Sequence, residues 1–232
     1  MFYYFDPLYF AYLLPALVLV VIAQVWIKTS FSKYTKVFNQ RGLNGRDAAR
    51  LVLDQAGLQH VQIEMVSGKL TDHYDPRAQV IRLSPDVYSQ PSIAAVGVAA
   101  HEAGHAVQHA TGYAGIKVRT AILPISSYGP SIGILILFLG AMFNFPVLIY
   151  AGLILFSFAF LFQLVTLPVE FNASRRALAV IKESGLLTEE ERAGARKVLT
   201  AAAMTYVAAM LQSLMTLLYY IARFAGNNNR RR

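Results

Sequence analysis

Residues 92–110 read SIAAVGVAAHEAGHAVQHA, and the interpretation of the chain begins from this stretch. Ser92 is placed to cap a helix, and Gly112 to end it. On a helix, positions i and i+4 face the same side, so His101 and His105 can bind one zinc ion. Glu102 is then placed to take a proton from a metal-activated water that attacks a peptide carbonyl. The alternative is an ordinary helix that carries two solvated histidines. The small apolar run before His101 instead favours a buried site whose charges need partners.

The rest of the chain is too apolar for an ordinary soluble enzyme. Of its 232 residues, 56% are hydrophobic and 15% are charged, whereas soluble domains average about 25% charged residues. Three uncharged runs, 8–27, 122–143 and 147–167, are each long enough to cross a bilayer. Asn144-Phe145-Pro146 makes a tight turn between the last two, and 198–221 is a weaker fourth run. The predicted fold class is an α-helical membrane protein with three to four transmembrane helices and a small α+β domain that resembles zincins.

The segment between the first two runs has the mixed polarity of a water-facing domain. Asn44 is expected to cap a helix that Gly57 ends. Residues 61–66 and 78–83 alternate like strands, and the polar insert 70–76 between them is typical of a turn. The predicted order is helix, two or three strands, and the His101 helix.

The basic residues indicate how the chain is oriented. Seventeen of the 21 Lys and Arg residues lie in segments 28–121 and 168–197. The positive-inside rule places both segments in the cytoplasm and the N-terminus outside, although the tail Arg230–Arg232 conflicts with this if the fourth run crosses. Topology and lipid headgroups therefore explain the net charge of +8 better than nucleic acid does. The chain has no cysteine, so a metal must be held by nitrogen and oxygen ligands.

A catalytic zinc needs a third ligand and one open position. His109 lies about 12 Å from His101 along the helix, too far to share one ion, and is expected to be a surface residue or to sit behind a ligand. One candidate is Glu170, at the end of the third apolar run, whose alternative role is to pair with a neighbouring arginine. The other candidates lie in the polar insert: Asp72, His73 and Asp75.

Several motifs taken together resemble the YugP-type neutral membrane zinc metallopeptidases, over nearly the whole chain. They are LTDHYDP at 70–76, the helix with HEAGH, and PVEFNASRRA at 168–177. The chain is more distantly similar to HtpX-like gluzincins, whose second motif is E-x-x-A-D. The resemblance implies a bacterial-type multi-pass membrane protein that uses Zn²⁺, with Glu102 as the base and three metal ligands: His101, His105 and Glu170.

This sequence departs from the family pattern at two positions. Ser174 stands where the gluzincin pattern has an aspartate, and Asn172 stands where the closer family is expected to have an acid. The departures leave open which residue orients a ligating histidine. The group that stabilises the oxyanion also stays open among His73, Tyr74, Tyr113 and Arg175.

These observations divide the chain into five predicted regions. They are a transmembrane anchor at 1–27, a zincin-like domain at 28–121, a transmembrane hairpin at 122–167, a helical segment with the third ligand at 168–197, and a C-terminal helix with a basic tail at 198–232.

Three functions remain open. The first is a zinc endopeptidase of the cell membrane, with its site in the cytoplasm and protein or peptide substrates at the bilayer. The second is an intramembrane protease, but no full apolar span surrounds His101 and no Asp-Gly pair occurs. The third is a catalytically silent pseudo-protease, scaffold or metal carrier, against which the intact Glu102 argues. The oligomeric state is not predicted.

Overall fold

The computed structural model describes residues 6–225, so the predicted outer N-terminus and the tail Arg230–Arg232 lie outside the described residues. The elements follow in this order: α1 Pro7–Thr35, α2 Gly45–Gln55, β1 Gln62–Met65, β2 His73–Asp75, β3 Val80–Leu83, α3 Pro85–Ser89, α4 Ile93–Ala110, α5 Ala114–Met142, α6 Pro146–Glu183, α7 Glu189–Tyr220, and a π-helical turn Ile221–Ala225.

The chain forms two compact units. The helical unit comprises Met1–Gln24, Lys117–Leu167 and Thr205–Arg232, and the mixed unit comprises Val25–Ile116 and Pro168–Met204. Four helices, α1, α5, α6 and α7, contribute residues to both units.

The same four helices are long and apolar enough to cross a membrane, at the upper end of the predicted three to four. Many of their large side chains are exposed, among them Met142 at 67%, Val147 at 66% and Ile154 at 63%. The helices extend well beyond the uncharged runs, because a helix can continue through charged residues where the chain leaves an apolar environment. For example, α5 begins at Ala114 and α6 continues through Pro168 to Glu183 without a break.

Within the helical unit, α5 and α6 form the predicted hairpin. Asn144 makes the turn with a left-handed backbone, φ +55°, which asparagine adopts more readily than most residues. Two glycines then let the helices meet at backbone distance, since a Cβ on Gly152 would lie 2.5 Å from the carbonyl oxygen of Gly133. Small residues at such crossings are a common way of packing membrane helices.

Within the mixed unit, a three-stranded sheet has the order β1-β3-β2. β1 pairs in parallel with β3, and β2 pairs antiparallel with β3. The polar insert was expected to be a turn, but it contains the edge strand β2. Asp75 explains the difference, because its carboxylate accepts hydrogen bonds from the backbone N–H groups of Arg77 and Ala78 and from the Arg82 side chain. These contacts fold the insert back onto β3, and the alternation of residue types does not reveal them.

The core of the mixed unit joins both of its chain segments. Leu53, Ile81, Val96, Ile181 and Val198 are among its fully buried side chains, and each contributes roughly 1.5–3 kcal/mol by leaving water.

Local caps agree with the predicted helix starts in this unit. The Asn44 side chain accepts from the N–H of Asp47, and the Ser92 hydroxyl accepts from the N–H of Ala95. At the start of α7, Thr188 and Glu191 make the reciprocal hydrogen bonds of a capping box.

Candidate metal centre

Helix α4 packs unusually close to α6 and α7 because its contact face consists of small residues. A Cβ on Gly104 would lie 2.9 Å from the carbonyl oxygen of Ala173, and one on Gly97 would lie 3.2 Å from the Cβ of Ala195. Any larger side chain at Gly104 would therefore push α6 away. The close approach brings the HEAGH turn against the turn of α6 that carries Glu170.

Three side chains meet at this crossing. The Nε2 atoms of His101 and His105 are 3.1 Å apart. Glu170 Oε2 lies 3.3 Å from Nε2 of His101 and 3.5 Å from Nε2 of His105. The centre is shielded from water, with Glu170 3% and His105 7% exposed. Among the described residues, this is the group of histidine and acidic side chains arranged to hold a metal ion.

The three donor atoms fit the geometry of zinc. Tetrahedral coordination with bonds of roughly 2.0–2.1 Å places neighbouring ligand atoms about 3.3 Å apart, and the observed separations are 3.1 to 3.5 Å. The electrostatics also favour a cation. Although burial opposes protonation of His105, its hydrogen bond to Glu170 and the charge of Glu102 hold its pKa above the usual value. The site therefore attracts positive charge, whether a proton or a metal ion.

A chain of hydrogen bonds fixes the orientation of the His105 ring. The guanidinium of Arg176 can only donate, so the oxygen it contacts at 2.9 Å must be Oδ1 of Asn172. That oxygen and the carbonyl of Val169 accept the two N–H groups of Gln108. Oε1 of Gln108 is thus left to accept the Nδ1–H of His105, at 3.0 Å. With its proton on Nδ1, His105 directs the Nε2 lone pair into the centre, as a metal ligand must.

Ser174 is the corresponding hydrogen-bonding partner of the other histidine, His101. Its hydroxyl lies 3.0 Å from Nδ1 of His101, one helical turn after Glu170. The position where the gluzincin pattern has an aspartate is therefore occupied by a neutral hydrogen-bonding partner. The partner of His105 is Gln108, a residue the sequence interpretation missed. Its signal was available, because Gln108 is a polar residue three positions after His105 on an otherwise small, apolar helix.

Glu102 follows His101 in the chain, and its carboxylate has no hydrogen-bond partner among the described residues. The residue is 9% exposed. Asp72 interacts with it electrostatically. Burial and this neighbouring charge raise the pKa of Asp72, although hydrogen bonds from Ser84 oppose the shift. A carboxylate that reaches solvent and has no hydrogen-bond partner among the described residues, beside a candidate metal centre, suits a general base.

The other candidates for the third ligand lie elsewhere. Asp72 accepts hydrogen bonds from the N–H and hydroxyl of Ser84, Asp75 pairs with Arg82, and Nδ1 of His73 contacts the carbonyl of Thr71. His109 is exposed, as expected, and its ring packs against Tyr74. Of the candidates, the structure brings Glu170 to the two histidines.

Comparison with known proteins identifies the family to which the chain belongs. The chain is 45% identical over 207 residues to the Bacillus subtilis (strain 168) protein named "Putative membrane protease YugP", with 89% of this chain and 92% of that protein covered. No solved structure matches the chain. Residues 9–225 match the model of a family described as "Putative neutral zinc metallopeptidase". Because the match spans nearly the whole chain, including every residue of the candidate centre, this membrane protein belongs to that zinc metallopeptidase family.

Proposed function

We propose that this protein is a zinc-dependent endopeptidase that cleaves membrane or membrane-proximal proteins. The observation that carries the proposal is the convergence of His101, His105 and Glu170 at separations suited to zinc, with Glu102 beside them. Family membership supports the metal and the reaction class.

The proposed chemistry divides between the ion and the chain. Zinc in this site would supply a Lewis acid that polarises a peptide carbonyl and lowers the pKa of a water molecule. Glu102 accepts the proton of the attacking water and returns it to the leaving amine. Ser174 and Gln108 hold the two rings so that their lone pairs point inward, and they keep that geometry through the reaction.

An edge strand beside the centre supports a peptide substrate. Among the described strands, β2 pairs only with β3, and Tyr74 of β2 contacts His109 at the end of the HEAGH helix. An extended substrate segment can add to such an edge through main-chain hydrogen bonds, which recognise a peptide largely independently of its side chains.

The position in the cell follows from charge and hydropathy. Four apolar helices support a multi-pass protein of the cell membrane. The segments that carry the proposed ligands also hold most of the basic residues, which favours a site on the cytoplasmic side. The name of the Bacillus relative, a membrane protease, is consistent with this placement.

Zinc content tests the metal centre. We expect purified protein to hold about one zinc per chain, and His101→Ala or Glu170→Gln to lower the occupancy strongly. His109→Ala is the matched control, because His109 is an exposed histidine on the same helix. Full occupancy in the Glu170→Gln variant would remove Glu170 from the ligand set. Full occupancy in His101→Ala would overturn the site itself.

Cleavage tests the reaction separately. Glu102→Gln should retain zinc yet lose at least about 100-fold in the rate of cleavage of an unfolded membrane-protein substrate. Undiminished cleavage would exclude Glu102 as the base. A zinc-loaded wild-type protein that cuts no such substrate would favour the pseudo-protease alternative, and cleavage mapped to the middle of a substrate's span would favour the intramembrane alternative.

A further inference from the structure

A groove of about 460 Å³ runs between α6 and α7 within the mixed unit. Phe171, Arg175 and Leu178 line it from α6, and Arg192, Arg196 and Leu199 line it from α7. The spacing places each set along one face of its helix. The groove thus combines three guanidinium groups with an apolar wall.

The positive charge in this groove is only partly compensated. Arg192 is largely buried, with 12% of its side chain exposed, and pairs with Glu189, whose side chain is 79% exposed. Arg196 interacts electrostatically with the same glutamate. The side chain of Arg175, an exposed residue, makes no hydrogen bond or ion pair with any other described residue. The one exposed carboxylate of Glu189 interacts with Arg192, Arg196 and Lys182 and cannot neutralise them all, so a further anion would be favoured.

On both helices the lining residue nearest to the helical unit is apolar. These residues are Phe171 on α6 and Ala203 on α7, and the helical-unit parts of the two helices end at Leu167 and resume at Thr205. The arginines lie further from those parts, and on α6 Leu178 follows Arg175. A ligand with a negative head and an apolar tail matches this order, because guanidinium groups bind phosphate oxygens in pairs.

We infer that this groove binds an anionic phospholipid, with its phosphate on Arg175, Arg192 and Arg196 and an acyl chain along the exposed ring of Phe171. A soluble phosphate would leave the apolar wall unused. An acidic peptide substrate is disfavoured by the position of Ser174, which lines the groove. Its hydroxyl contacts Nδ1 of His101, so the groove lies on the side of that ring away from Nε2, which faces the metal centre.

Competition between two lipids tests the inference directly. Full-length protein in neutral detergent is equilibrated with equal amounts of phosphatidylglycerol and phosphatidylcholine, and bound lipid is measured by native mass spectrometry. We expect a preference for phosphatidylglycerol that falls about fivefold in Arg175→Gln and about 25-fold in the double variant with Arg196→Gln. Lys197→Gln is the matched control, because Lys197 is an exposed cation adjacent to Arg196 that does not line the groove.

The inference is overturned if the wild type does not prefer phosphatidylglycerol, or if Lys197→Gln reduces the preference as much as Arg175→Gln does. Inorganic phosphate provides a further arm. If it displaces the lipid at equal concentration, the groove is a site for free anions and not for lipid. A cooperative thermal unfolding transition close to that of the wild type confirms that each variant is folded. Because lipid binding is measured without turnover, the outcome does not depend on whether the protein proves to be a peptidase.

Discussion

Two helix crossings in this molecule use the same packing device for different ends. In the helical unit, Gly133 and Gly152 bring the backbones of α5 and α6 into contact; in the mixed unit, Gly104 does the same for α4 against Ala173 of α6. The first crossing is surrounded by Leu137, Leu155 and Phe156. The second is surrounded by two histidines, a glutamate and the polar side chains that orient them. The comparison teaches that close approach of two helix backbones fixes the positions of the side chains around the crossing. The chemical nature of those side chains decides whether the crossing serves packing or metal binding.

The largest expected effect comes from adding one methyl group at each crossing. Gly104→Ala should lower zinc affinity by more than about 100-fold, because the carbonyl of Ala173 must move and Glu170 moves with it. Gly152→Ala should lower the melting temperature, at an overpacking cost of roughly 1–3 kcal/mol, while zinc affinity stays within about twofold. Chelator competition and thermal unfolding measure the two quantities. Equal zinc affinities in the two variants would mean that the crossings do not differ as described.

A smaller effect is expected from the side chains that hold the two rings. Gln108→Leu should lower zinc affinity by about 10- to 100-fold and Ser174→Ala by about tenfold, since each removes the partner of an Nδ1 atom. The Gln108 variant also removes a hydrogen-bond donor from the carbonyl of Val169 and from Oδ1 of Asn172, so its effect is expected to be the larger of the two. Gln59→Leu, a substitution of an exposed glutamine in the same unit, provides the control. If the control weakens zinc binding as much, the loss does not come from the hydrogen bonds to the histidines.

The smallest expected effect concerns the charge of Asp72 beside Glu102. Its pKa is raised in the folded protein by burial, despite hydrogen bonds from Ser84. The folded state therefore holds this proton more tightly than the unfolded state, and stability falls as pH rises from the usual carboxyl pKa through the raised one. Asp72→Asn removes the destabilisation caused by ionising Asp72. The melting temperature of the variant should therefore rise relative to that of the wild type as pH increases over this range, by a few degrees at most.

Asp75→Asn gives the opposite sign. Hydrogen bonds from Arg82 and from the backbone of the turn lower the pKa of Asp75, so its ionised form is favoured by folding. Stability due to Asp75 is present above the usual carboxyl pKa and is lost as pH falls through the lowered one. The melting temperature of Asp75→Asn should therefore fall relative to that of the wild type as pH rises. Parallel pH profiles of the melting temperature for Asp72→Asn and the wild type would show that the charge of Asp72 does not affect folding.

Local signals predicted much of this fold from the sequence. Asn44 and Ser92 cap helices as expected, and the apolar runs became the four long helices. These features depend on residues a few positions apart. Of the two or three predicted strands, the sequence did not place β2 in the polar insert, because its pairing depends on contacts between Asp75 and Arg82, which alternation of residue types does not encode.

Local signals in the sequence predicted only part of the candidate site. Spacing predicted that His101 and His105 share a face, but the choice of Glu170 over the acids of the polar insert came from family resemblance. The roles of Ser174 and Gln108 depend on how α4 meets α6. That contact joins residues more than sixty positions apart, so no local pattern could reveal it.

Because the chain has no cysteine, a metal bound at the centre would have a second role, in holding the mixed unit together. No disulfide can brace the mixed unit, whose two segments are separated in the chain by the whole hairpin 117–167. An ion bound by both His105 and Glu170 would act as a reversible cross-link that closes this long loop. Closing a long loop stabilises the folded protein because it restricts the conformations of the unfolded chain. Loading the metal would then complete the folding of this protein as well as equip it for hydrolysis, and a chelator would remove both at once.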